Sequence, residues 1–116
     1  MFSEIFKVKK PIIGMIHVRA LPGTPKFAGE INPIIDQAIQ EALAYKKAGI
    51  DSIAIENMHD TPYLKGEVGP EITAMMSIVG CEVKRASNLP CGIQILAGAN
   101  IEAMAVAQAS QLDFIR

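Results

Sequence analysis

Residues 32–57 read NPIIDQAIQEALAYKKAGIDSIAIEN, and the hydrophobic period changes part-way along them. Up to Ala48 the apolar side chains Ile35, Ala38, Ile39, Ala42 and Leu43 recur at three- and four-residue spacing, the period of an amphipathic helix. Asn32 offers an N-cap, Pro33 suits a first helical position, and Gly49 supplies a C-terminal stop. A helix is therefore expected over 33–48. From Ser52 the pattern becomes a short, nearly continuous apolar run, SIAI, that ends on the polar pair Glu56-Asn57. A run apolar on both sides suits a strand buried between two layers. This stretch is the second half of a β-α-β unit.

The same alternation extends in both directions. Upstream, IIGMI (12–16) is a buried strand guarded by Pro11 and ending at His17, and VRALPGTPKFAGEIN carries the turn signals Pro22-Gly23 and Pro25. Downstream, Pro70 opens a second helix with Ile72, Met75, Met76, Val79 and Val83 on one stripe, stopping near Asn88 before Pro90. CGIQIL (91–96) is a third strand, Asn100 caps a third helix (101–111), and Asp113-Phe-Ile-Arg116 begins a fourth strand. The order β-α-β-α-β-α-β implies an α/β fold with a parallel sheet covered by helices. Two architectures fit, a small doubly wound sheet and the first half of a (β/α)8 TIM barrel. HVRALPGTP is not the G-x-G-x-x-G that follows the first strand of a dinucleotide fold, so no cofactor is expected. A complete barrel takes about 250 residues. The expectation is thus an incomplete half barrel, with 1–116 as the N-terminal half of one domain.

Composition excludes several functions. Eleven Lys+Arg oppose twelve Asp+Glu, giving a formal net charge of −1, and half the residues are apolar. Nucleic acid calls for a basic face and aromatic stacking platforms; the chain is near neutral, with no Trp, four Phe and two Tyr. No apolar run reaches the roughly 18 residues that span a bilayer. Two cysteines, Cys81 and Cys91, form neither a disulfide framework nor C-x-x-C and read as ordinary thiols in a reducing compartment. Lys7, Lys9 and Lys10 read as a solvated lead-in. The start has no secretory apolar stretch, and Glu4 with no Arg before Arg19 argues against a mitochondrial presequence, so cytoplasmic localisation is expected over mitochondrial.

Parallel α/β sheets carry their chemistry where the carboxyl ends of the strands meet the loops. The residues falling there are His17; Glu56, Asn57, His59 and Asp60; Gln94; and Arg116. His17 and Glu56 are the candidate catalytic pair. An imidazole titrates near neutral pH, and a carboxyl on a strand buried on both faces has its pKa raised toward proton transfer. The alternatives are a histidine bonded to a neighbouring loop and a structural ion pair between Glu56 and Arg116. Asn57, Asp60, Gln94 and Arg116 are candidate ligand-binding residues, with Asn57 serving a substrate hydroxyl or a loop backbone. Glu56, His59, Asp60 and His17 are of metal-ligating type, but E-x-x-H-D is not a zinc signature and no metal is expected. Glu71 in a first helical turn is expected to cap that helix.

Several blocks of the chain match a known pattern: GMIHVRALPGTPKF (14–27), DSIAIENMHDTPYL (51–64), VGPEITAMMSIV (68–79), LPCGIQIL (89–96) and LDFIR (112–116). The chain resembles the BtpA/SgcQ family over nearly its whole length. That resemblance implies a TIM barrel of the ribulose-phosphate-binding type about twice this length, with no established activity. It links the chain by name to photosystem I biogenesis in phototrophs and to a sugar-metabolism cluster in bacteria. His17, Glu56, Asn57, Asp60 and Glu71 match its motif positions. Where relatives carry N-V-L-R-N-D, this sequence has Gln94-Ile-Leu-Ala97-Gly98-Ala99, which removes three polar groups from the loop face. The function expected is a barrel binding a small sugar-like or phosphorylated metabolite, inactive at this length, with a non-catalytic assembly factor acting through protein contacts as the alternative. Exposed barrel edges imply self-association of the chain.

Overall fold

The computed structural model describes residues 1–116. A single helical turn, α1 (Phe2–Ile5), precedes strand β1 (Ile13–His17), helix α2 (Asn32–Lys47), strand β2 (Ser52–Glu56) and helix α3 (Pro70–Ser87). Strand β3 (Cys91–Gln94), helix α4 (Asn100–Ala109) and the short strand β4 (Phe114–Ile115) complete the chain. The strands are all parallel and lie in chain order, β1-β2-β3-β4. A doubly wound sheet reverses its strand order at a switch point; this one does not. The fold is an α/β half barrel.

Residue alternation along the strands divides the sheet into two faces. Ile16 and Val18 from the first strand and its exit, Ile53 and Ile55, and Cys91, Ile93 and Ile95 join Ala38, Ala42, Met76, Val79, Val83, Ala103 and Val106 in one buried core. That core is the seam between sheet and helices, and α2, α3 and α4 pack side by side upon it. The other face carries Ile13, Met15 and His17, then Ser52, Ala54 and Glu56, then Gly92 and Gln94, then Phe114 and Arg116. Its lower part is apolar. Phe6 tilts against Phe114 at 5.6 Å between ring centres, and with Ile13, Met15 and Ala54 they line a hollow of about 400 Å³. Lys7, Lys9 and Lys10 are exposed, as expected of a solvated lead-in, and the residues just before them add one helical turn and an aromatic contact.

The amino ends of the strands are pinned by one device used twice. Asp51, just before β2, accepts the Ile12 N–H at 2.8 Å, and its own N–H donates to the Ile12 carbonyl at 3.1 Å. Asp113, just before β4, accepts the Cys91 N–H at 2.8 Å while its N–H donates to the Cys91 carbonyl at 2.7 Å. Lys84 adds a 2.6 Å ion pair to Asp113, which ties α3 to the entry of the last strand.

Helix starts differ from the expected caps. Asn32 and Asn100 lie inside their helices, and Ile31 and Ala99 hold the N-cap positions without a side-chain hydrogen bond. The carbonyl of Ile31 already accepts the N–H groups of Ile34 and Ile35, so no side-chain acceptor is needed at the start of α2, while at α4 the carbonyl of Ala99 makes the ordinary first helical bond to Ala103. Gly49 (φ +80°) and Asn88 (φ +53°) close α2 and α3 in the left-handed region, as such residues do past a helix end.

Gly14 permits one close approach. The Tyr45 ring of α2 lies across it, and a Cβ there would sit 2.7 Å from ring carbons. The ring cannot easily withdraw, because the Tyr45 hydroxyl donates to the Met15 carbonyl at 2.7 Å. Gly14→Ala is expected to cost about 1–3 kcal/mol, read by urea denaturation; a loss under about 0.5 kcal/mol would mean that the ring moves aside freely.

Candidate functional site

The register of the sheet gathers four of the six expected residues into one row. His17 pairs with Glu56, Glu56 with Gln94, and continuing the β3–β4 register one residue sets Arg116 beside Gln94. Side chains at paired positions point the same way, so the row crosses the carboxyl ends of all four strands on the face opposite the helices.

Burial is uneven along this row, deepest at Glu56 and least at its two ends. The Glu56 side chain is 5 % exposed and that of His17 45 %. Their closest atoms, Glu56 Oε2 and His17 Nε2, are 3.6 Å apart, within ion-pair range and beyond hydrogen-bond length. The ion pair weighed between Glu56 and Arg116 does not form. Arg116 Nη1 donates instead to Gln94 Oε1 at 3.0 Å, since the register makes Gln94 its neighbour and leaves Glu56 two strands away. The row thus holds two pairs, an acid with an imidazole and an amide with a guanidinium.

Asn57 and Asp60 serve a different geometry. Asn57 Oδ1 accepts the Leu96 N–H at 2.7 Å, and Nδ2 donates to Asp60 Oδ2 at 3.1 Å and to the Leu96 carbonyl at 3.4 Å. Asp60 Oδ1 accepts the Leu21 N–H at 2.8 Å. Both residues are buried. Between them they tie together the loops that follow β1, β2 and β3, so the backbone alternative foreseen for Asn57 is the one its hydrogen bonds realise. They also line a cavity of about 230 Å³ with Thr24, Pro62, Gly69 and Glu71.

Glu71 does not act as the expected cap. The α3 N-cap is Gly69, which makes no side-chain bond, and the Glu71 carboxylate folds back over Gly23 and Gly69. A Cβ at Gly23 would lie 2.5 Å from Glu71 Oε1, so glycine is what leaves room for the carboxylate at this junction. His17, Glu56, His59 and Asp60 are not brought together around a common point, and no group of three or more His, Cys, Asp or Glu side chains is placed to hold a metal ion. Cys91 is buried beside Ser87, and burial pushes its thiol pKa up. Both cysteines are free. No helix is long and apolar enough to cross a membrane.

With this geometry in hand, the comparison with known proteins is decisive on one point: the model of the BtpA family matches residues 8–116. The chain belongs to the BtpA family. A Pyrococcus horikoshii protein of uncharacterised function is 45 % identical over 92 % of this chain and 41 % of its own length. A Caenorhabditis elegans protein, F13E9.13, named as mitochondrial, is 42 % identical over 98 % of this chain and 43 % of its own. The Synechocystis photosystem I biogenesis protein BtpA is 34 % identical over 97 % of this chain and 39 % of its own. The chain thus spans about two-fifths of the length of the curated relatives it matches. No solved structure matches it. In this BtpA-family chain, sequence reading overlooked Arg19, Lys26 and Gln37, which line a cavity of about 480 Å³ with His59 beside the first loop. Two cations flanking the Pro/Gly-rich segment LPGTP were the available signal.

Burial raises the Asp60 pKa above the ordinary 3.8, against the opposing hydrogen bonds from Leu21 and Asn57 and the nearby His59. Between 3.8 and that raised value the folded chain binds the proton more tightly than the unfolded chain. Asp60 therefore stabilises the fold most in acid, and this contribution is lost as pH rises through the folded-state pKa. The stability of the natural chain minus that of Asp60→Asn, from urea unfolding at several pH values, should fall as pH rises through this window. A difference that stays flat, or that grows with pH, would refute it.

Proposed function

We propose that the BtpA-family barrel to which this chain belongs binds a small sugar-like or phosphorylated metabolite at the carboxyl ends of its strands. Glu56 and His17 exchange protons with it, and Gln94 and Arg116 hold its hydroxyl or anionic groups. One observation carries the reading: a buried carboxylate lies 3.6 Å from a half-exposed imidazole on the face opposite the helices. A carboxylate on a buried strand without a structural partner of opposite fixed charge is costly to fold, which favours a chemical role. The imidazole is open to an incoming ligand and the carboxylate is shielded from water, a division that suits a proton relay. Asn57 and Asp60 enter as ligand-binding residues through the cavity they line beside Glu71. The likeness to barrels of the ribulose-phosphate-binding type supports the choice of ligand class. A cytoplasmic setting belongs to the same proposal.

The name of the Synechocystis relative favours a second reading, a non-catalytic assembly factor working through protein contacts. The His17→Ala/Glu56→Gln double variant of a full-length family member separates the two. Loss of turnover by at least 100-fold in a sugar-phosphate screen, with an unchanged melting temperature, is expected for the proton-exchange role. A folded double variant that retains the full biological function would favour assembly instead. The 116-residue chain is expected to show no turnover in the same screen, because a barrel site is built from the loops of eight strands and these residues supply four. Clear activity from this chain would overturn that expectation.

Both outer edges of the sheet also bear on assembly. Ile12 is 62 % exposed and Ile13 39 % beside one edge, and an unpaired parallel edge is a template for another chain. The 116-residue chain is expected to self-associate; a monodisperse monomer in size-exclusion chromatography with light scattering would contradict this.

A further inference from the structure

The cavity beside the first loop contains neither His17 nor Glu56. It is lined by Arg19, Lys26 and Glu30 from the segment after β1, by Gln37 of α2, and by His59 from the segment after β2. Its volume of about 480 Å³ is within the range of small-molecule sites. Its cations are unspent. The ion pairs of the chain join Met1 to Glu4, His17 to Glu56, Lys84 to Asp113 and Arg85 to Glu82, and leave Arg19 and Lys26 without an acidic partner. Glu30 lies close enough to share the cavity and yet pairs with neither. Two like charges facing one hollow repel each other, an arrangement that an entering anion relieves.

One further feature lies at the same cavity. Gln37, half-buried, lines the cavity, and its Oε1 is turned away from solvent with no hydrogen-bond partner. Its amide NH₂ is a donor matched to an anionic oxygen.

We propose that this cavity is an oxyanion site that holds the phosphate group of a small phosphorylated metabolite. Arg19 binds it in fork geometry, Lys26 supplies a second charge, and the Gln37 amide and His59 donate from the walls. This site lies in the loops after the first and second strands, apart from the row of the four strand ends, and does not depend on the acid–base role of Glu56. Arg19 and Lys26 are both exposed at the mouth, so a ligand can enter without displacing the core.

Inorganic phosphate titrated into the 116-residue chain at constant ionic strength, followed by calorimetry and by ³¹P line broadening, tests this. Saturable one-to-one binding is expected. Arg19→Ala/Lys26→Ala should weaken it at least tenfold, as should Gln37→Glu, which places a carboxylate in the cavity wall. Lys46→Ala/Lys47→Ala removes the same charge from the opposite end of α2 and should change affinity less than twofold. Arg19 and Lys26 are surface residues, so their loss leaves the fold intact even if the Gln37 variant is destabilised. Absence of saturable binding, or equal weakening by the two double variants, would overturn the proposal. Because binding is read without turnover, a negative result leaves the proton-exchange reading standing, and loss of that reading leaves this one standing.

Discussion

The Asn57–Asp60 bracket is the interaction on which the functional end of the chain depends. Three loops leave the sheet at this end, and loops by themselves contribute little packing to hold them in register. Asn57, 1 % exposed, satisfies its amide on both the N–H and the carbonyl of Leu96 and on the Asp60 carboxylate. Asp60 completes the tie by accepting the Leu21 N–H. A buried polar network of this kind is worth most when every member is partnered, and costs most when one is lost. It sets the directions in which the chain leaves β1, β2 and β3, and so the walls of both cavities at this end.

A second constraint follows from where the helices lie. All three long helices pack on one face of the sheet, so the other face is left to Phe6, Met15, Ala54 and Phe114 below and to His17, Glu56, Gln94 and Arg116 above. Parallel pairing aligns every strand end at the same edge, which turns residues far apart in sequence into neighbours. Asp51 and Asp113 secure the opposite edge by bonding the preceding strand's first amides. The aspartate pins and the polar row are thereby placed at opposite ends of the same strands, and in (β/α) barrels stability and chemistry divide along the same line.

Polar groups at the functional end sort by partner. Asn57 and Asp60 face backbone, Gln94 and Arg116 face each other, and Glu56 faces a histidine it does not quite reach. Arg19, Lys26 and the Gln37 carbonyl have nothing opposite them. Groups that folding leaves without partners are where a ligand gains the most, since its binding recovers interactions the chain does not make. The row of strand ends and the cavity beside the first loop are therefore separate places, the one proposed for chemistry and the other for charge.

The fold was largely legible in the sequence. Apolar runs such as SIAI and the three-and-four spacing of Ile72, Met75, Met76, Val79 and Val83 follow from local geometry, because burial on a strand or one helix face imposes a period. The ends of strands, and hence His17, Glu56, Asn57, Asp60, Gln94 and Arg116, could be located from the same pattern. Their partners could not. Whether Arg116 meets Glu56 or Gln94 depends on strand register, and whether Asn57 serves a ligand or Leu96 depends on loops that close across 39 residues. Helix caps at Asn32, Glu71 and Asn100 failed as expectations because backbone carbonyls, or the packing over Gly23 and Gly69, took those roles. The sequence by itself determined the element order and which polar residues stand at the carboxyl ends of the strands, through hydrophobic period and turn residues. Only the tertiary structure decided which polar groups are spent on one another and which stay free, because that is settled by distances between segments that no local pattern encodes.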